Sequence, residues 1–471
     1  MSQIQEADVL RVLRNVEDPD LHRDIVSLGF VKKVTIDGGA VGAVVELTTP
    51  ACPVKDLLRT QCEEQIKSLE GVTSVNVEMT ANVRGAQPGS QTSPSGPVLA
   101  GVKNVLAVAS GKGGVGKSTV AVNLASALCE AGASVGLLDA DVYGPSVARM
   151  VGGSGQPQQN PQGLLLPFEA HGIKFMSMGM LVNDQTPVVW RGPMASNLIQ
   201  QFLGKVDWGQ LDYLVIDLPP GTGDVQLTLT QSADLTGAVI VTTPQDVASE
   251  VAQRGLKMFG TVNVPVLGVV ENMSYFTCGS CDTKHDIFRP RGGERPTASW
   301  GIPILGEIPI EPELAALGDA GTPISRAAPE SDTAKAFRAL AERVAAGLST
   351  ITMTQGQSGM PTNIDGDGDH LKITWDDGHE SQHHFQRLRF NCACAGCVDE
   401  NTGKKKIVLE FIDPNVRPMK VEQSGRYALQ FTWSDNHDTG LYTFTRLRAL
   451  CECPSCAEGG REKTVAREAE A

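Results

Sequence analysis

The sequence predicts an α/β fold. Its centre is a parallel-sheet P-loop nucleotide-binding domain, flanked by a small N-terminal α+β domain and a small, β-rich, metal-binding C-terminal domain. Three observations predict this. From Val102 onward, segments such as NVLAVAS, SVGLLDAD, YLVIDLPP, GAVIVTTP and VPVLGVVEN alternate with helical stretches. Strands so uniformly apolar are buried on both faces, as in a parallel sheet covered by helices. The segment GKGGVGKST, Gly111 to Thr119, fits the phosphate-loop pattern between a strand (Val105–Ala109) and a helix starting at Ser118. Eight of the eleven cysteines gather in tight groups, Cys278/Cys281, Cys392/Cys394/Cys397 and Cys451/Cys453/Cys456, while Cys52, Cys62 and Cys129 are isolated. In a chain without a secretion signal, that spacing suits metal better than disulfides.

The chain of 471 residues is long enough for about three domains. Residues 1–82 read as the α+β domain, with helices at 7–16 and 53–69 and strands at 30–36, 43–47 and 72–78. RGAQPGSQTSPSGP marks a flexible linker over 83–98, rich in Gly, Ser and Pro. The nucleotide-binding domain covers 99–350 and ends in a helix near 334–348. TQGQSGMPTNIDGDGD is a second expected linker, 351–369. The last domain spans 370–457, and 458–471 is expected to be a disordered tail.

Charge and hydropathy exclude several classes. A net charge of −14 argues against sequence-independent nucleic-acid binding, which needs a basic face. No apolar run approaches the ~18 residues of a membrane helix, so membrane insertion is not expected. The acidic, amphipathic N-terminus is neither a signal nor a transit peptide. The expected location is therefore the cytosol, or the plastid stroma if a targeting segment precedes this sequence.

In the phosphate loop, the backbone N–H groups of Gly113, Gly114, Val115, Gly116 and Lys117 wrap the phosphates of ATP, aided by the helix N-terminus. The ammonium of Lys117 neutralises the β/γ-phosphates, and the Ser118 hydroxyl binds Mg2+. Asp139 and Asp141 end the strand SVGLLDAD. Water activation falls to Asp141 and a Mg2+-side role to Asp139, with a simple helix cap as the rival reading. Asp217, in YLVIDLPPGTGD, is the Walker-B-type carboxylate.

Lys112 is an additional lysine near the start of the loop. It resembles the signature lysine of the MinD, ParA and nitrogenase-iron-protein class of ATPases. That resemblance implies a lysine reaching across a dimer to the partner's nucleotide, which is arginine-finger chemistry. It also implies that Asn272, ending the strand GVVEN, reads the adenine edge. Cys278 and Cys281 follow in ENMSYFTCGSCDTKHDIF. Two thiolates complete neither a 4Fe–4S cluster nor structural zinc; two subunits on a two-fold axis would supply four. Structural zinc, with His285 a conceivable ligand, or a free redox pair are the alternatives.

SGKGGVGKST, LLDADVYGPS, IDLPPGTGD, TTPQDVA and ENMSYFTCGSC together resemble the Mrp/ApbC family of iron–sulfur cluster carriers over about residues 98–350. The resemblance implies a homodimer that holds a labile 4Fe–4S cluster, receives it from upstream donors and passes it to apoproteins under ATP control. The first domain, through VELTTPACPVKD, resembles the small domain of iron–sulfur assembly factors. Cys52 there reads either as a reactive thiol at a helix start that relays a cluster, or as a buried turn cysteine. Cys62 and Cys129 read as helix-face core residues. The three-domain order resembles the plastid high-chlorophyll-fluorescence type of scaffold.

The last domain contains a repeat. WDDGH leads to LRFNCACAGC, and WSDNH leads to LRALCECPSC; the offset is 58 residues at the tryptophans and 59 at the Leu-Arg pairs. The domain resembles the N-terminal domain of γ-butyrobetaine hydroxylase. That resemblance implies zinc held by Cys392, Cys394, Cys397 and His437, a closed structural site. His379 occupies in the first half the position of His437 in the second. If the halves are symmetric, Cys451, Cys453, Cys456 and His379 form a second, crossed zinc site. A further iron–sulfur cluster on the six cysteines is the rival. His383 and His384 read as solvated.

The expected function is an ATPase that loads or transfers a cluster. A MinD/ParA-like positioning ATPase and a nucleotide-binding scaffold without turnover are the alternatives.

Overall fold

Successive side chains of each strand point to opposite faces of the sheet, and this determines how the layers stack. A computed structural model describes residues 4–458 except 20, 22, 86–98, 100, 143, 181–191, 222, 224–225, 227–228, 231, 263, 282, 289–296, 298–301, 356–360, 393–396, 399–404, 425–427 and 438–439. The described residues form two compact units, one built from residues up to 352 and the other from residue 353 on.

The first unit is organised by an eight-stranded sheet. Its strands are β4 (Val102–Ser110), β5 (Val135–Asp139), β6 (Phe168–Ala170), β7 (Ile173–Ser177), β8 (Leu211–Asp217), β9 (Gly237–Thr242), β10 (Val266–Glu271) and β13 (Ile304–Glu307), with the β11–β12 hairpin (Phe276–Thr277, Lys284–His285) between the last two. The spatial order is β13-β10-β9-β4-β8-β5-β7-β6, and all pairs are parallel except β6 with β7. One face carries Leu106, Val108, Leu137, Val215 and Val241 against α3 (Lys117–Glu130) and α7 (Asp332–Gln355). The other carries Val105, Ala107, Leu138, Ile216 and Ile240 against α5 (Gly192–Lys205) and α6 (Asp246–Thr261). Adjacent residues of one strand therefore feed opposite cores, which is why the strands read as continuous apolar runs.

The N-terminal domain comprises α1 (Glu6–Leu13), β1 (Val31–Asp37), β2 (Ala40–Leu47), α2 (Lys55–Lys67) and β3 (Ser74–Ala81). Strands β1 and β2 pair antiparallel and β2 and β3 parallel. The domain joins the main body directly: Ala51 and Val83 belong to its core, and Tyr213 Oη donates to Thr49 Oγ1 at 3.0 Å.

The second unit is two copies of one motif. Strands β14 (Pro361–Asp367), β15 (His370–Trp375) and β16 (Glu380–His384) precede α8 (Phe385–Phe390). Strands β17 (Pro418–Ser424), β18 (Ala428–Trp433) and β19 (Gly440–Thr443) precede α9 (Phe444–Ala449), with α10 (Pro454–Glu458) after it. Both triplets are antiparallel. Matching positions build one core, Trp375 with Trp433, Leu388 with Leu447, Phe385 with Phe444.

Three expectations are corrected here. Helix α2 begins at Lys55 with Val54 as its cap, so Cys52 and Pro53 lie in the preceding turn. The closing helix α7 runs to Gln355, and the segment expected as a linker over 351–369 also contains strand β14. Strand β14 is almost wholly exposed and lies at a sheet edge, which explains its linker-like Gly/Asp composition. The expected linker at 83–98 and tail at 458–471 fall almost entirely outside the described residues.

Candidate functional site

The phosphate loop lies between the C-terminal end of β4 and α3. The neighbours of β4 are β8 and β9, so the chain leaves the sheet here in opposite directions, the place where ligands bind in open α/β sheets. Gly114 (φ 79°) and Gly116 (φ 82°) adopt left-handed backbone conformations. A Cβ at Gly113 or Gly114 would meet nothing within 4 Å, so the space above the loop is open. At Gly116 a Cβ would collide with the Asn272 side chain, which explains why only glycine fits. Val115 is buried beneath the loop, and Gly111 and Thr119 flank it.

Lys117 Nζ lies 2.6 Å from Asp217 Oδ1 and 3.6 Å from Asp141 Oδ2. Ser118 Oγ donates to Asp217 Oδ2 at 2.5 Å. Asp217 is fully buried; burial pushes its pKa up, and Lys117 opposes the shift. The structure thus gathers Lys117, Ser118, Asp141 and Asp217 at one point. Asp139 differs. Its Oδ2 accepts from Ser177 Oγ (2.8 Å) and from the backbone N–H groups of Ser146 and Val147 (both 3.1 Å), and its Oδ1 accepts from Asp141 N–H (3.1 Å). Burial and the nearby Asp217 carboxylate push its pKa up to about 7. Both oxygens hold the DADVYGPS loop and the start of α4 (Val147–Met150), so the geometry supports the cap reading over the Mg2+-side role.

Lys112 Nζ donates to Gln245 Oε1 at 3.4 Å, beside the start of α6. Asn272 Nδ2 donates to Val115 O at 2.8 Å and is buried. Asn272 therefore touches the phosphate loop from the end of β10. Six residues further on, Cys278 opens the tip of the β11–β12 hairpin. Cys278 N–H donates to Thr283 O at 3.0 Å and Cys281 N–H to Cys278 O at 3.3 Å, forming a tight turn. Cys278 is half-buried and Cys281 exposed. Hydrogen bonding with Thr283 lowers the Cys281 pKa below the usual thiol range. Among the described residues, no third Cys, His, Asp or Glu joins this pair as a ligand. His285 is half-buried on β12 opposite Phe276.

Cys52 lines a small crevice with Thr49 and with Ser349 and Thr350 of α7. A helix dipole acts only within the first turn, so α2 offers this thiol little activation. Cys62 is fully buried, and burial pushes its pKa up to about 12. Cys129 is half-buried, its thiol 3.3 Å from Gly172 O.

In the second unit the ligands cross between the halves. Cys392 and Cys397 of the first half lie 3.2 and 3.8 Å from His437 Nε2 of the second; Cys394 lies outside the described residues. Cys451, Cys453 and Cys456 of the second half lie 3.4, 3.8 and 3.7 Å from His379 Nε2 of the first. His383 is a correction: it is buried, its Nδ1 is 3.2 Å from Leu450 O, and burial pushes its pKa down to about 4. His384 is half-buried.

A model described as the NUBPL iron-transfer P-loop NTPase matches residues 101–345. The chain belongs to that family. An iron–sulfur cluster assembly protein model matches residues 6–79, and a γ-butyrobetaine-hydroxylase-like N-terminal model matches 362–448. The iron–sulfur cluster carrier protein of Synechocystis is 50% identical over 73% of this chain and 98% of its own length. The chloroplastic Fe–S cluster assembly factor HCF101 of Arabidopsis thaliana is 40% identical over 92% of this chain and 81% of its own. Among solved structures, the ADP-bound nucleotide-binding protein of Archaeoglobus fulgidus is 39% identical over 51% of this chain and 94% of that one, with TM-score 0.44. As expected for this family, the chain carries a nucleotide-binding P-loop. Among the described residues no helix is long and apolar enough to cross a membrane.

Residues that sequence reasoning missed are supports. Gln245 holds Lys112, and Ser177 holds Asp139. Arg389 Nε reaches Asp435 at 2.8 Å, and Arg448 reaches Asp377 at 2.6 Å. The last two pairs were present in the repeat, as the Arg of each Leu-Arg and the Asp of each WDD or WSD.

Proposed function

We propose that this protein is an ATP-dependent carrier that holds a labile 4Fe–4S cluster across a homodimer and delivers it to apoproteins. The observation that carries this reading is the short path between the two sites: Asn272 touches the phosphate loop and Cys278 opens the CxxC turn six residues later. A nucleotide that displaces Asn272 or its neighbours pulls directly on the hairpin base.

In this reading the Gly113–Lys117 amides and Lys117 bind phosphate, while Ser118, supported by Asp217, holds Mg2+. Asp141 orients the attacking water. Asp139 shapes the loop that carries Asp141. Lys112, released from Gln245, acts on the partner's nucleotide. Asn272 reads the adenine edge. The cluster is the cargo. Cys278 and Cys281 supply two ligands, and the two-fold-related pair supplies two more. The exposed hairpin tip and the lowered pKa of Cys281 suit an exchangeable ligand.

The remaining parts have supporting roles. The three domains follow the three family matches. Cys52 is available as a relay from its crevice at the first domain's edge. Cys392, Cys394, Cys397 and His437 hold structural zinc. The carrier works in the cytosol, or in the plastid stroma if a targeting segment is present.

Cluster transfer to an apo 4Fe–4S acceptor, followed with and without Mg-ATP, tests the reading. The expected result is a nucleotide-dependent transfer rate in the native chain and no nucleotide dependence in Lys117→Ala. Equal rates with and without ATP in the native chain would overturn it. A parallel phosphate-release assay separates turnover from mere binding.

A further inference from the structure

The γ-butyrobetaine-hydroxylase-like match ends at residue 448, before Cys451, Cys453 and Cys456. These three cysteines and His379 nevertheless converge. Their four ligand atoms all lie within 4.8 Å of one another. We infer that they form a second, mononuclear zinc site that mirrors the Cys392/Cys397/His437 set, each ion joining one half of the repeat to the other.

The distances point to a single ion. Zn–S of about 2.3 Å and Zn–N of about 2.0–2.1 Å put sulfur and nitrogen roughly 3.6 Å apart on a tetrahedral edge. His379 Nε2 stands 3.4, 3.8 and 3.7 Å from the three sulfurs. Around a four-iron cube each cysteine takes a different iron, so the sulfurs stand much farther apart. Three thiolates and one imidazole are a closed structural zinc set with no open position.

The surroundings are built for the ligands. The turn that aims His379 requires a left-handed residue before it. Gly378 (φ 80°) provides it, and Asn436 (φ 62°) provides it at the matching place before His437. Trp375 N–H donates to His379 O at 2.9 Å, and Trp433 N–H to His437 O at 2.8 Å. Asp377 Oδ1 accepts from His379 N–H at 3.0 Å and binds Arg448, as Asp435 accepts from His437 N–H and binds Arg389. Cys453 N–H donates to Cys451 Sγ at 3.4 Å, a bond that supports thiolate charge. The two sets thus share turn geometry, carboxylate support and crossed connectivity. The supporting pair is not perfectly equal: Arg389 also touches Cys397 Sγ at 3.3 Å, while Arg448 lies over the Trp375 ring.

The test uses the full chain carrying Cys278→Ser and Cys281→Ser, which removes the third thiol site from the count. Elemental analysis after reduction and gel filtration is expected to give two zinc ions per chain. Cys456→Ala and His379→Ala are each expected to give one, and Cys392→Ala one. Two ions in both Cys456→Ala and His379→Ala, or a single ion in the parent that Cys392→Ala removes, would overturn the proposal. Iron with visible sulfide absorption in place of zinc would also overturn it. If a variant loses both ions by unfolding, His379→Cys with cobalt decides. Two bound ions with the d–d bands of one set moved to a four-thiolate pattern support the site, and unchanged bands contradict it.

Discussion

The phosphate loop and the CxxC hairpin are linked through Asn272, which touches the loop and stands six residues before Cys278, and they differ in completeness. The loop's phosphate- and magnesium-side groups already meet inside one chain. Lys117 reaches Asp217 at 2.6 Å and Asp141 at 3.6 Å, and Ser118 reaches Asp217 at 2.5 Å, with Lys117 and both carboxylates buried. The hairpin presents one half-buried and one exposed thiol, with no third ligand among the described residues. Under the proposed function the difference teaches that the nucleotide's own contacts come from one chain, whereas holding the cluster needs a second pair of thiolates. A related pattern recurs in the second unit, where each candidate ligand set draws on both halves of the repeat.

The largest expected effect probes the boundary between the two regions. Lys112→Ala is expected to lower ATP turnover by about a thousandfold or more, the scale of a cation supplied in trans. Nucleotide affinity, read by titration calorimetry, stays within about twofold. A parallel loss of affinity would mean that Lys112 serves its own chain's site, and the comparison would need redrawing.

Next comes Lys117→Ala. Losing a charged hydrogen-bond donor costs about 1.5–3 kcal/mol, a roughly ten- to hundredfold loss in affinity for ATP. Cluster content after reconstitution is expected to stay unchanged, since the hairpin does not depend on the loop's charge. Loss of cluster as well would break the separation of the two regions.

Much of this arrangement was legible in the sequence, and the reasons differ by site. The phosphate loop is contiguous, and the sheet that carries it announces itself in five apolar runs. The crossed ligands in the second unit were legible because the repeat aligns His379 with His437 and one cysteine triplet with the other. Less legible was anything decided by side-chain partners distant in sequence. Asp139 looks like a metal ligand until Ser177 and the Ser146 and Val147 amides occupy it. His383 stands between the half-buried polar residues Gln382 and His384, yet β16 turns it under Leu450. Strand β14 reads as a linker because an exposed edge strand needs no apolar face.

Smaller effects come from titration. Asp139 has a folded pKa of about 7, raised by burial and the nearby Asp217 carboxylate above the ordinary aspartate value of 3.8. The native state therefore binds more protons than the unfolded state between about pH 4 and 7, and stability falls as pH rises through that window. Urea unfolding of the nucleotide-free protein is expected to show this slope, and Asp139→Asn to flatten it. His383 has the opposite sign. Its folded pKa of about 4 lies below 6.5, so its contribution is full above about pH 6.5 and is lost as pH falls toward 4. Metal-free second-unit unfolding is expected to follow that trend, with His383→Phe removing it. Slopes of the reverse sign would mean that these groups are not buried as described.

The central claim is that one chain holds half a cluster site. Anaerobic reconstitution followed by native mass spectrometry and iron analysis tests it most directly. The account predicts one 4Fe–4S cluster per two chains, and none in Cys278→Ala or Cys281→Ala. A cluster retained in Cys278→Ala, or one cluster on each single chain, would contradict it.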